Sequence, residues 1–249
     1  MAASTLPVAQ SDILSLLDLL RPQTYEGGKI RIGGAHDGGY VVPDAALDCD
    51  AVLSIGIGSD VSFDLALAER GLPVFQYDHT VAASPVAHER FHFARLGWGP
   101  ATRDPFVSLE GMILQLEDAG SVRPLLKFDI EGGEYDVLEA IDPNALAFFR
   151  VIVCELHNLS GLTDLTFHTR VRHCLNVLTQ HHAPVHLHAN NYGVMALVGG
   201  VPIPDVLEVS LLRRDLGVQP YPASDAIPGL LDRPNHPHRP DYCLTPFGA

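Results

Sequence analysis

Residues 51–64, AVLSIGIGSDVSFD, decide the fold. The apolar run 51–55 reads as a strand and Gly56-Ile57-Gly58 as a tight turn. Phe63, Leu65, Ala66 and Leu67 then begin a helix that stops at Gly71. A second apolar run, 73–77, ends at Asp78. The unit is therefore strand, glycine turn, helix, strand, with an acid after its second strand. Glycines allow backbone to approach a ligand closely, and such an acid can accept hydrogen bonds from both hydroxyls of a ribose.

Working outward, residues 11–20 carry Ile13, Leu14, Leu16, Leu17, Leu19 and Leu20, which predicts a short helix with Ser11 as N-cap and Pro22 beyond its end. Residues 29–42 give two short strands joined by a glycine-rich turn, Gly33-Gly34-Ala35-His36-Asp37-Gly38-Gly39, either a plain hairpin or a loop covering a cofactor. Downstream, strands are predicted at 88–96, 124–130, 150–157 and 184–188, with helices over 108–119 (Met112, Ile113, Leu114 and Leu116 inward), through Val137, Leu138 and Ile141, and over 165–179. Strands that alternate with helices and are almost continuously apolar indicate a parallel sheet covered on both faces. Residues 206–212 follow with only a loop before them, so they are expected to pair antiparallel. The prediction is a Rossmann-like, doubly wound α/β fold whose seven-stranded sheet is mainly parallel, with one antiparallel strand near the C-terminus. It is read as a single domain over 1–249: a helix and glycine-rich segment at 1–45, the core at 46–215, and an irregular segment rich in proline and histidine at 216–249.

A formal net charge of −14 excludes a phosphate backbone or an anionic membrane as partner, because both reward a basic face. No apolar run is long enough to span a membrane, and the first residues lack the basic start of a signal peptide, so a cytoplasmic location is expected. Cys49, Cys154, Cys174 and Cys243 form no C-x-x-C, which points to neither a zinc knuckle nor a disulfide framework. Composition does not indicate the oligomeric state.

In an open α/β sheet the ligand crevice lies beyond the carboxyl ends of the strands. The residues expected there are Gly56 and Gly58, Asp78 with His79, Asp129 with Glu131 and Glu134, Glu155 and His157, then His188, Asn190 and Asn191. In the fifth strand Glu155 and His157 share a face, opposite Cys154 and Leu156. A hydroxyl is a weak nucleophile, so transfer to it needs a base or a cation. Asp129 and His157 are the candidate catalytic residues, one of them taking the proton. Alternatively Asp129, Glu155, His157 and His188, with Asn190 as a possible further ligand, hold a divalent ion such as Mg, Mn, Fe or Zn. For the cofactor, Val61 stands where a dinucleotide fingerprint needs its third glycine, which favours a cofactor without a pyrophosphate, S-adenosylmethionine.

In order along the chain, RIGGAHDGGYVV, SIGIGSDVSFD, LLKFDIEGGEYDVL and VCELH resemble the FkbM and methyltransferase-like 24 type families of class I S-adenosylmethionine-dependent methyltransferases. The resemblance implies that Gly56 and Gly58 cradle the methionine part of the cofactor, that Asp78 binds ribose, and that Asp129, Glu131 and Glu134 lie near cofactor and acceptor. Ser54 stands where many methyltransferases carry an acid, which leaves Asp37, beside Gly38, or Asp60 to meet the cofactor's amino group. It also implies O-methylation of a sugar, glycoside or similar small polar natural-product acceptor. The alternatives are a nicotinamide-dependent oxidoreductase, which the β-α-β unit permits, and a non-catalytic binding module of the same fold.

Overall fold

A computed structural model describes residues 8–244. Seven strands form the main sheet: β1 (Val52–Ile55), β2 (Val74–Tyr77), β3 (Phe91–Ala94), β4 (Leu125–Phe128), β5 (Val151–Leu156), β6 (His182–Ala189) and β7 (Leu207–Arg213). Their spatial order is β6-β7-β5-β4-β1-β2-β3. Six run parallel, and β7 lies antiparallel between β5 and β6. The order reverses between β1 and β4, which is where a doubly wound sheet opens a crevice. This is the Rossmann-like architecture read from the strand and helix pattern.

The helices are α1 (Gln10–Leu17), α2 (Ser62–Ala68), α3 (Leu109–Asp118), α4 (Glu134–Leu138), α5 (Pro143–Leu146) and α6 (Leu165–Thr179). Alternation along each strand sends side chains to two different cores. Leu53, Ile55, Leu126, Phe128, Ile152, Cys154 and Leu156 pack with α1, α3, α4 and α6. Val52, Val74, Leu125, Val151 and Val153 pack with Phe63 and Leu67 of α2 and with Ile32, Tyr40 and Val42 of the hairpin Lys29–Gly33/Gly39–Pro43. Ser210 Oγ of β7 donates to the Val41 carbonyl at 2.7 Å, fastening this hairpin across the sheet.

Several local expectations are corrected. Ser11 does not cap α1: the helix starts at Gln10, with Ala9 at the N-cap position two residues earlier, and no side chain caps it. Leu114 points outward, 59% exposed, because α3 buries Leu109, Met112 and Leu116. The connection before β7 is not a bare loop. It holds a hairpin, Met195–Val198 with Val201–Pro204, turned at Gly199-Gly200. The C-terminal segment is less irregular than expected, since Val218–Pro222 pairs with Gln23–Tyr25 and Asp232 and Asn235 are buried. Its last five residues, like the first seven of the N-terminal segment, lie outside the described residues. Among the described residues no helix is long and apolar enough to cross a membrane.

Candidate active site

Gly56 ends β1 at φ 72, and a Cβ there would lie 1.7 Å from the Asp129 carbonyl oxygen. Only glycine allows the turn after β1 to press against the end of β4. Gly58 has φ 53, and a Cβ there would meet nothing within 4 Å, so this glycine faces open space. That space is a cavity of about 510 Å³. It is lined by Asp37, Gly38, Gly56, Gly58, Asp60, Asp78, His79 and Asp129, the residues expected around a cofactor.

The polar groups of this cavity are held in defined positions. Asp78 Oδ2 accepts from Gly58 N at 3.0 Å, and Oδ1 accepts from Thr80 N at 2.7 Å and Thr80 Oγ1 at 2.6 Å. Burial alone would raise the Asp78 carboxyl, but these bonds outweigh it and hold the group below its ordinary value. With three acceptor positions used, roughly one of its four lone-pair sites is left for a ligand. Asp60 Oδ1 accepts from Ser62 N at 2.7 Å, so a carboxylate already occupies the start of α2. His79 packs against Phe106 with ring centroids 4.9 Å apart, on the same cavity wall as Trp98.

A second cavity, about 400 Å³, shares Asp37, Asp129 and Glu131 with the first and adds Glu155, His157, Asn190 and Tyr192. Asp129, Glu155 and His157 each offer a ligand atom, all within 4.8 Å of one another. His157 Nδ1 bonds Glu134 Oε1 at 2.9 Å, and Glu134 is fully buried. The outer nitrogen, Nε2, therefore faces Asp129 at 3.8 Å and Glu131 and Glu155 at 3.6 Å. Tyr135 Oη donates to the His157 carbonyl at 2.7 Å and fixes the backbone behind the ring. Glu131 holds φ 56, a left-handed conformation that costs a non-glycine residue about 1–2 kcal/mol.

Electrostatically the cluster is frustrated. Burial lifts the Asp129 carboxyl, Glu131 and Glu134 add to the rise, and Lys127 and His157 oppose it. Glu155 is pushed well above the ordinary range, by burial first and then by Asp129, Glu208 and Asp37. Burial would lower His157, but its bond to Glu134 and the surrounding carboxylates raise it. Asp129 Oδ1 is buried and has no hydrogen-bond partner. Carboxylates that resist joint ionisation around an imidazole, one of them with an unpartnered oxygen, form a donor set that suits a divalent cation.

His188 does not join this group. Because β7 is inserted between β5 and β6, the end of β6 lies two strands from Glu155 rather than beside it. Both of its ring nitrogens are engaged, Nδ1 by Glu208 at 3.1 Å and Nε2 by Asp241 at 3.1 Å. These partners overcome burial and raise it to about 10. Asn190 presents its amide nitrogen, not its oxygen, to Glu155 at 3.4 Å, while the oxygen accepts from Tyr192 N at 3.0 Å. Asn191 holds the C-terminal segment, accepting from His236 N at 2.6 Å.

Sequence reading missed Lys127, Asp64 and Tyr40. Lys127 Nζ donates to the Gly56 carbonyl at 2.9 Å, and Asp64 accepts from Gln76 at 2.8 Å. Tyr40 Oη lies 3.4 Å from Glu155. All three line the first cavity. The available signal was a lysine inside the apolar strand Leu125-Leu126-Lys127-Phe128.

No curated protein matches the chain. Among solved structures it is similar at 13% identity to a SAM dependent methyltransferase from Agrobacterium tumefaciens, over 68% of this chain and 58% of that one, with a TM-score of 0.31. It is similar at 12% identity to a putative hemolysin from Streptococcus thermophilus, over 88% of this chain and 94% of that one, with a TM-score of 0.38. Both superpose too loosely to carry an argument, and the chain spans 58% of the length of the first. Residues 87–181, from the approach to β3 through Asp129, Glu134, Glu155 and His157 to the end of α6, match the model of the methyltransferase FkbM domain.

Proposed function

We propose that the protein is an S-adenosylmethionine-dependent O-methyltransferase that uses the first cavity for the cofactor and the second for a hydroxyl of a sugar or similar small polar acceptor. The observation that carries this reading is the shared wall: Asp129 lines both cavities, so a methyl donor in one meets an acceptor in the other. Asp78 and the turn at Gly56 and Gly58 suit the ribose and methionine parts, and His79, Phe106 and Trp98 offer flat surfaces for a base. A dinucleotide is disfavoured, because Asp60 already satisfies the start of α2 where a pyrophosphate would sit.

Asp129, Glu155 and His157 are the residues that would hold a divalent cation, with Glu134 orienting the imidazole from behind. Such an ion would lower the pKa of the acceptor hydroxyl and fix its position. A second reading keeps the site metal-free, with His157 as the base and Glu134 stabilising its charged form. The 2.9 Å bond between them favours it equally well.

Methyl transfer measured before and after exhaustive chelation separates the two. If the ion is needed, chelation abolishes turnover and added Mn or Mg restores it. Full turnover in chelator leaves His157 as the base. His157→Ala should cost at least about 100-fold in kcat either way. Lack of S-adenosylmethionine binding by calorimetry would overturn the reading as a whole.

A further inference from the structure

We infer that the second cavity selects a hydrogen-bond-donating, non-anionic acceptor, a neutral polyol or its amino-substituted counterpart, and rejects one with a carboxylate or phosphate near the reacting hydroxyl. This rests on the second cavity being the acceptor half of the site. The argument is one of inventory. Asp37, Asp129, Glu131 and Glu155, four carboxyl groups against the one imidazole of His157, line the cavity, and no lysine or arginine does among the described residues. Lys127, the nearest buried cation, instead lines the first cavity and donates to the Gly56 carbonyl. A divalent ion on Asp129, Glu155 and His157 would neutralise only the two carboxylates it touches. Asp37 and Glu131 would still give the remaining space two negative charges.

One of those charges is held by hydrogen bonds and the other stands open to solvent. Asp37 Oδ1 accepts from Asn235 Nδ2 at 3.2 Å, and its backbone nitrogen donates to the Asn235 carbonyl at 3.4 Å. Asn235 is 1% exposed, so the C-terminal segment holds this acid at the rim from behind. Glu131 is carried by the left-handed turn after β4, with its side chain 86% exposed.

The hydrogen-bonding capacity is equally one-sided. Ionised carboxylates only accept, and the donors on this wall, His157 Nε2 and the amide nitrogen of Asn190, are already directed at Asp129, Glu131 and Glu155. A ligand here must therefore bring donors. Hydroxyl and ammonium groups do so, whereas a carboxylate or phosphate brings more acceptors and a like charge. At the mouth, Tyr192 is 53% exposed and its ring lies 4.9 Å from that of His236, which offers a flat surface to one face of a cyclic polyol.

The charge rule can be tested without knowing the acceptor. Trp98 is buried, so Tyr192→Trp places a selective fluorescent reporter at the mouth, and Val194→Trp, 61% exposed, is a second position should the first variant fold poorly. Quenching by acrylamide calibrates exposure, and iodide and caesium report the sign of the local potential. Relative to free tryptophan amide, caesium should out-quench iodide by about threefold or more in 0.1 M salt. Adding Asp37→Asn and Glu131→Gln should bring the two ions close to parity. Equal quenching by iodide and caesium before those substitutions, or an asymmetry that survives them, overturns the inference. Failure of the methyltransferase reading would appear separately, as absent S-adenosylmethionine binding, and would leave the quenching result unchanged.

Discussion

Under α1, α3, α4 and α6, the strands stay apolar to their ends through Leu53, Ile55, Leu126, Phe128, Ile152, Cys154 and Leu156. Under α2 and the hairpin, Val52, Leu125, Val151 and Val153 give way to Ser54, Lys127, Asp129, Glu155 and His157. β6 and β7 repeat the pattern, with His186, His188, Ser210 and Glu208 buried on the hairpin side. The difference teaches a division of labour. A continuous dry face holds every strand in register, which lets the carboxyl ends on the other face carry groups that are costly to bury. The hairpin and the C-terminal segment then shield those groups, through Tyr40 on Glu155, Asp232 on His186 and Asn235 on Glu208.

The strongest way to break the comparison is to damage the dry face alone. Phe128 is fully buried and meets Trp98 edge to face at 5.3 Å. Phe128→Ala should cost about 3–5 kcal/mol in denaturant unfolding. At temperatures where the variant remains folded, the pH profile of turnover should be unchanged, and a shifted profile would mean that the two faces are not separate.

Two histidines on one strand sharpen the contrast through their opposite signs. At the start of β6, burial lowers His182 to about 4, and its Nε2 meets the Phe149 carbonyl at 2.9 Å. The stability it contributes is complete above about 6.5 and falls as pH drops towards 4. At the end of β6, His188 is raised to about 10, so its pairing with Glu208 and Asp241 contributes fully below about 6.5 and is lost as pH climbs towards 10. Thermal melts from pH 4 to 10 should show His188→Gln flattening the alkaline limb and His182→Gln flattening part of the acid limb. Parallel curves for either variant and the parent would refute that assignment.

A smaller effect is expected at the crevice. Asp78→Ala should weaken S-adenosylmethionine by about tenfold, or ~1.4 kcal/mol, by calorimetry. Its bonds to Gly58 and Thr80 leave it less to give a ribose than a free carboxylate would have, so a loss of a hundredfold or more would imply that Thr80 releases it on binding. Smallest of all, Ser11→Ala should change stability by less than about 0.5 kcal/mol, whereas loss of a true N-cap would cost ~1 kcal/mol.

By itself, the sequence determined the repeating strand and helix pattern, because burial on both faces leaves a near-continuous apolar signature that periodicity can detect. It also determined the glycine turn: Gly56 and Gly58 hold positive φ, which few other residues tolerate. The acids and imidazoles at strand ends were equally legible, and so was the grouping of Glu155 with His157, since a period of two fixes which residues share a face. The hairpin after Tyr192 was legible in principle from Val198-Gly199-Gly200-Val201, a two-glycine turn between apolar residues.

What only the tertiary structure decided was adjacency across strands. Chain order places β6 directly after β5, but hydrogen bonding inserts β7 between them, and that alone separates His188 from Asp129, Glu155 and His157. The partners of His188, Glu208 and Asp241, lie 20 and 53 residues away in the chain, beyond the reach of any local pattern. Lys127 was hidden for a related reason: a lysine in an apolar strand becomes intelligible only once the Gly56 carbonyl is seen 2.9 Å from its ammonium group. Local periodicity fixes which way a side chain points, whereas the long-range pairing of strands fixes what it meets.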